Sequence, residues 1–260
     1  MGFEEKITGQ ARASTVDASI EYVAGEMFEY RIVCMLPWIH LATATVPQGD
    51  TLRLMRRGDE FSIRIDGGNE LMNSRLGGSE EALATLALKR LSGRLEPRVL
   101  IGGLGMGFTL RAAQAATSSD ARLIISEIVP ELVDWAGHHM AAVFGECLSD
   151  PRVEIRTGDV RAEIRAEMAG FDAILLDVDN GPDGLAVSGN DALYSEAGLN
   201  AARRALIAGG VLAIWSAAPD QAFAKRLSRC GFDVSEHAVR AGRTRRGARH
   251  TIWIAVRSGP

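Results

Sequence analysis

The spacing of apolar positions changes twice along this chain, and the changes divide it into three stretches. Residues 1–34 carry scattered apolar positions without a sustained period. They read either as an extension ahead of the fold or as a segment with a helix around Ile20–Tyr30. From Ile39 to Ser74 the runs IHLATATV, TLRLMRR, EFSIRID and ELMNS alternate partially and are separated by PQGD, GD and GG. That texture predicts a small antiparallel β-unit joined by tight turns. Ser79-Glu80-Glu81 then opens an Ala/Leu-rich stretch to Leu91. A serine cap and an acidic first turn favour a helix there, which Ser92-Gly93 can stop.

After Pro97 apolar runs alternate with helical patterns. RVLIG, ARLIISE, RVEIRT, FDAILLDV and GVLAIWS read as strands, with LVDWAGHHMAAVF and EAGLNAARRAL among the helical segments between them. Alternation at this spacing implies a doubly wound, mostly parallel α/β sheet with helices on both faces. The last two strands, FDVSEHAVR and HTIWIAVR, are joined by AGRTRRGA, which is too short for a crossover helix, so they form an antiparallel hairpin. The expected architecture is an extension (1–34), a small N-terminal antiparallel β-unit (35–78), and a larger domain (79–260) ending in that C-terminal antiparallel hairpin.

Composition narrows the function classes. At 260 residues with 47% hydrophobic and 24% charged residues, the chain is an ordinary globular, enzyme-sized protein. A net charge of −4 argues against a general nucleic-acid binder. Cys34, Cys147 and Cys230 match no disulfide framework or zinc spacing, which suits a reducing, cytoplasmic setting. No apolar run approaches the roughly 20 residues of a spanning helix, so no membrane is expected. His138-His139 and His237 lack metal-ligand partners at usable spacing, and no metal is expected. Trp135, Trp215 and Trp253 read as core or sheet-face residues. The basic loop Arg240–Arg249 is either an anion-facing motif or a solvated hairpin loop.

Candidate chemistry begins at VLIGGLGMGF, residues 99–108. Gly103, Gly105 and Gly107 leave the first parallel strand, where bare backbone permits a tight turn and close approach to a ligand. The nicotinamide fingerprint wants glycine at 108, and the residue is Phe108, so the spacing suits an adenosyl-sulfonium binder better than a dinucleotide binder. Glu127 ends the second strand, where an acidic side chain can accept both ribose hydroxyls; otherwise it is a solvated residue opening the next helix. Asp159, in TGDV, can accept from an adenine amino group, and it can also cap a helix over Val160–Met168. Asp177 and Asp179, with Asp183 beyond a Gly-Pro turn, repel one another unless a cation or a shared proton is present. An ammonium substrate or a sulfonium would meet that need.

At these residues the chain resembles the spermidine synthase family and, more broadly, proteins of the class I methyltransferase fold. The resemblance runs from about Trp38 to the C-terminus, on IGGLGMG, SEIVPELV, TGDV, DVDNGPDG and DALYSEAGL. It implies that Glu127 holds the ribose, Asp159 the adenine, and Asp177 the transferring end of the substrates. Asp179 approximates the second aspartate of the family's loop, Glu70 stands at its hairpin glutamine, and Tyr194 falls in its Phe/Tyr-containing, substrate-binding segment. The chain departs from the family at Gly105, where the family has an aspartate, and at GGSEEALA, which replaces a D-E-x-x-Y-H-E helix start. The implied cofactor is S-adenosylmethionine or its decarboxylated form. The implied reaction is aminopropyl transfer to a small amine or other nucleophile, with methyl transfer and a non-catalytic adenosyl-binding relative as the alternatives. A homodimer is compatible with the sequence.

Overall fold

A computed structural model describes residues 36–47, 49–65, 67–178, 191–242 and 247–259. The N-terminal extension, Asp179, Asp183 and the loop residues Arg243, Arg245 and Arg246 lie outside the described residues. Four strands, β1 (Ile39–Thr45), β2 (Thr51–Arg57), β3 (Glu60–Ile65) and β4 (Glu70–Asn73), form an antiparallel sheet in chain order. Leu52 and Leu54 of β2 and Phe61 and Ile63 of β3 are buried, so the sheet presents an apolar face to the core.

Helix α1 (Gly78–Leu88) follows and ends in a single 3-10 turn at Lys89–Leu91. Its N-cap is Gly77, without a side-chain cap hydrogen bond, so the expected serine cap is incorrect. Ser79 is inside the helix and fully buried. Its hydroxyl is diverted to Glu80 and to His250, far along the chain.

The large sheet contains β5 (Arg98–Gly102), β6 (Arg122–Glu127), β7 (Val153–Thr157), β8 (Phe171–Leu176), β9 (Leu206–Ser216), β10 (Phe232–Arg240) and β11 (Arg249–Arg257). Their spatial order is β10-β11-β9-β8-β5-β6-β7. Pairing is parallel from β7 to β9 and antiparallel at β9–β11 and β11–β10. The expected hairpin is present, with β11 inserted between β9 and β10. Successive residues face opposite layers, as a strand period of two requires. Val99, Ile101, Ala173 and Leu175 join the core shared with α1 and the small sheet. Leu100, Ile174 and Leu176 join the core on the other face.

The helices alternate with these strands: α2 (Phe108–Ala116), α3 (Pro130–Gly137), α4 (Ala141–Phe144), α5 (Val160–Ala166), α6 (Asp191–Tyr194), α7 (Glu196–Ala205) and α8 (Gln221–Arg229). The run LVDWAGHHMAAVF is two helices rather than one. Gly137 is a poor helix former, and His138 leaves helical geometry at φ −118° and ψ −80°. Asp159 does cap α5, accepting from the Arg161 N–H.

The chain runs from β5 to β6 and β7 on one side, then returns to β8 on the other. The carboxyl ends of β5 and β8 therefore form the topological switch point, where open α/β sheets bind their ligands.

Candidate active site

The switch point is held by backbone contacts. The Gly103 N–H donates to the Ser126 carbonyl at 2.9 Å, and the Asp177 N–H donates to the Gly102 carbonyl at 3.0 Å. Gly103 has φ +88°, and a Cβ there would lie 2.5 Å from the Asp177 carbonyl oxygen. Only glycine allows the turn to pass this close to β8. Gly105 has φ +52°, with the Met72 sulfur 3.7 Å from where its Cβ would be. Gly107 is the left-handed N-cap of α2.

A cleft of about 890 Å³, including space open to solvent, lies against this turn. Gly103, Gly105, Glu127, Asp159 and Asp177 line it, and Leu52, Ile65, Leu71 and Met72 of the small sheet close it from above. Ile128, Val129, Leu132 and Val160 add an apolar wall. Its mixture of apolar wall and convergent polar groups is that of a small-molecule site.

Glu127 is buried, with both carboxylate oxygens engaged by backbone donors. Oε2 accepts from the Leu104 N–H and Oε1 from the Val129 N–H, each at 2.9 Å. These two backbone donors fix the Glu127 carboxylate at the wall of the cleft. Asp159 accepts from the Arg161 N–H at 2.8 Å and from Arg161 Nε at 2.7 Å. Burial pushes its pKa up, and the Arg161 hydrogen bonds and charge outweigh that, leaving it below the usual value. Asp159 is thus a helix cap, half of an ion pair and a cleft residue at once.

Asp177 belongs to two cavities. The second, of about 600 Å³ including open space, is lined by Asp177 and Glu80 with Phe108, Trp215, Met72 and Asn73 among its walls. Thr109 Oγ1 donates to Asp177 Oδ2 at 2.6 Å. Burial and then the charge of Glu80 push Asp177 up to about 7, against that hydrogen bond. Glu80 is also raised, by burial first, with the Ser79 hydrogen bond opposing and Glu81 adding repulsion. Glu80 escaped the sequence reading because a glutamate in a first helical turn has an adequate local role. Only the approach of α1 to the end of β8 brings it to Asp177.

The remaining sequence candidates lie differently. Glu70 lines neither cavity; it accepts from Ser62 Oγ at 2.7 Å and from Asn73 Nδ2 at 2.8 Å. It touches the second cavity only through Asn73. Tyr194 is buried edge-on to Phe223, and its hydroxyl donates to the Val178 carbonyl at 3.3 Å. That contact fixes the backbone next to Asp177 and gives Tyr194 no surface in either cavity. Asp179 lies outside the described residues.

No protein-family model matches the chain. Over 98 residues it is 35% identical to the polyamine aminopropyltransferase of Nitrosomonas europaea. The matched segment is 38% of this chain and 29% of that relative. Among solved structures, a spermidine synthase in complex with the transition-state analogue AdoDATO aligns at a TM-score of 0.70 and 17% identity, covering 85% of this chain and 74% of that one. The Thermotoga maritima spermidine synthase aligns at a TM-score of 0.67 and 18% identity, with the same coverages. A probable spermidine synthase from Corynebacterium glutamicum gives 0.57 and 18%, covering 83% and 79%. The chain has the spermidine synthase fold, and over a 98-residue segment its sequence is similar to that of a polyamine aminopropyltransferase.

Proposed function

We propose that this protein transfers an aminopropyl group from decarboxylated S-adenosylmethionine to a small amine. The observation that carries the reading is the charge of the cleft. Asp50, Glu127, Asp159 and Asp177 line it, and no Lys, Arg or His is among its described lining residues. A donor bearing an ammonium and a sulfonium, without a carboxylate, suits such walls. The intact S-adenosylmethionine carries a carboxylate that these groups would repel.

The residues fit the adenosyl group. Glu127, held by two backbone donors, would take the ribose hydroxyls, and the apolar wall from Ile128 to Leu132 with Val160 would flank the adenine. Asp159 would accept from the adenine amino group while Arg161 holds it in place. When bound, the donor supplies a carbon activated for displacement by its sulfonium. Asp177 orients the acceptor amine and accepts the proton that the amine sheds as its new N–C bond forms. Its raised pKa suits it to that role, since a general base works best when its pKa lies near the operating pH. The small sheet covers the cleft and keeps water from the reacting groups.

Calorimetric titration with both sulfonium compounds tests the reading. The decarboxylated form should bind at least tenfold more tightly, about 1.4 kcal/mol. A preference for intact S-adenosylmethionine would overturn it in favour of methyl transfer. Binding of adenosyl ligands without turnover of any amine would favour the non-catalytic alternative.

A further inference from the structure

We propose that the outer edge of β10 is a self-association surface, on which β10 of a second copy of this chain pairs antiparallel about a two-fold axis at Ala238. The inference stands apart from the proposed reaction. Among the described residues the two sheets leave four edge strands, β1 and β4 in the small sheet and β7 and β10 in the large one. An open edge presents a row of unpaired backbone donors and acceptors, and soluble proteins blunt it with bulges, short strands or charge. Three of the four edges are blunted in these ways. β1 breaks register between His40 and Ala42. β4 is four residues long, and its pairing with β3 breaks between Ile63 and Arg64. β7 is five residues long and carries an ion pair, Arg156 Nε to Glu154 Oε1, at 2.8 Å.

β10 has none of these defences. It runs nine residues, Phe232–Arg240, in unbroken register with β11 and without proline, glycine or lysine. The open edge stops at Arg240, because the Ala241 carbonyl accepts from the Gly78 N–H at 2.8 Å and its N–H donates to the Ala248 carbonyl at 3.0 Å. Glu236, Ala238 and Arg240 share one face of the strand and are all exposed. Glu236 Oε2 accepts from Trp253 Nε1 at 3.2 Å, and Arg240 Nη1 donates to the Gly247 carbonyl at 3.1 Å, so both charged side chains are steadied there.

That face selects both the occupant and the register. In a two-fold pair, residue i of one copy opposes residue j of the other and j opposes i. Hydrogen-bonding direction alternates along a strand, so in a self-paired antiparallel ladder the residue on the axis opposes itself. An axis at Glu236 would set two carboxylates against each other. An axis at His237 would set Arg240 against Val234 and leave its charge unmatched across the ladder. An axis at Ala238 sets Glu236 opposite the partner's Arg240 twice, with two small side chains between these pairs. Opposite charges across a ladder stabilise it and like charges destabilise it, so the axis at Ala238 is favoured.

Sedimentation velocity of the full chain over a concentration series tests the surface, and cross-linking tests the register. The native protein should sediment as monomer and dimer, with a dimer share that rises with concentration. Arg240→Glu turns both opposite-charge pairs into carboxylate pairs and should weaken the dimer about tenfold or more, about 1.4 kcal/mol. Ala238→Lys should weaken it severalfold, because two ammonium groups then meet at the axis. Both positions are exposed, so the melting temperatures of the variant monomers should stay native-like. A native protein that is monomeric throughout, or a dimer indifferent to both substitutions, would overturn the surface. Ala238→Cys should give a disulfide-linked dimer under mild oxidation, since opposed Cα atoms lie about 4.5–5.5 Å apart, within the reach of a disulfide. His237→Cys, which would lie opposite Val239, should cross-link far less. Absence of the Ala238→Cys cross-link, an equal yield from the native chain, or a higher yield through His237→Cys would overturn the register.

Discussion

Glu127 and Asp177 are both cleft carboxylates at strand ends, yet their surroundings differ. Glu127 has a backbone N–H on each oxygen. Among the described residues Asp177 has a single hydroxyl donor, from Thr109, and a second carboxylate, Glu80, that repels it. The first environment builds a fixed acceptor, suited to orienting neutral hydroxyls. The second leaves a group whose charge depends on what binds beside it. Identical chemistry at two strand ends is thus divided into a rigid half and a titratable half. The division comes from the neighbours: the turn after β5 supplies one Glu127 donor and the start of α3 the other, whereas α1 delivers a competing carboxylate to Asp177.

The largest effect expected from breaking this contrast is on rate. Asp177→Asn keeps the shape and removes both charge and proton acceptor, so steady-state transfer to an amine should fall about 100-fold or more. Methylthioadenosine affinity should stay within a factor of a few, because the rigid half is untouched. Equal losses of rate and adenosyl affinity would contradict the division.

Breaking the other half should do the opposite. Glu127→Ala should weaken methylthioadenosine binding at least tenfold, as expected for lost hydrogen bonds to a charged group of about 1.5–3 kcal/mol. It also leaves the Leu104 and Val129 N–H groups without this acceptor, so the melting temperature should fall as well. An unchanged dissociation constant in a folded variant would remove the ribose assignment.

A smaller effect concerns stability against pH. Asp177 titrates near 3.8 when unfolded and near 7 when folded. Between those values the folded state keeps a proton that the unfolded state has lost, so stability falls as pH rises from about 4 to 7 and stays low above that. Asp177→Asn removes this penalty. Its melting temperature should match the native protein near pH 4 and exceed it at pH 8, by about 2–4 °C for each kcal/mol relieved. A constant difference across the range would mean that Asp177 is not raised.

The smallest effect belongs to Tyr194→Phe. Losing the hydroxyl bond to Val178 should cost about 1 kcal/mol or less and leave methylthioadenosine binding unchanged. A large loss of adenosyl affinity would bring Tyr194 into direct contact with the donor.

That Gly103, Gly105, Glu127 and Asp159 meet at one cleft was legible in the sequence because their determinants are local. Glycines leaving a strand, a glutamate ending the next strand and an aspartate capping a helix each follow from period and spacing. The meeting of Glu80 with Asp177 was not. Ser79 reads as a cap, and its diversion depends on His250, which reaches it only because β11 inserts between β9 and β10. Glu80 reads as a favourable first-turn acid, and its repulsion of Asp177 is a tertiary contact with no local signature. Glu70 matched a motif position, but the register of β3 and β4 gives its carboxylate to Ser62 and Asn73. The split between α3 and α4 was hidden because their apolar pattern continues through Gly137-His138 while the backbone does not.

The central claim is that this cleft delivers an aminopropyl group to an amine. The direct measurement is product analysis after incubation with decarboxylated S-adenosylmethionine and a panel of small amines, run beside the same panel with S-adenosylmethionine. The account predicts methylthioadenosine, formed in equal amount with an aminopropylated amine, from the first mixture and no S-adenosylhomocysteine from the second. Formation of S-adenosylhomocysteine with a methylated product, or no methylthioadenosine with any amine, would contradict it.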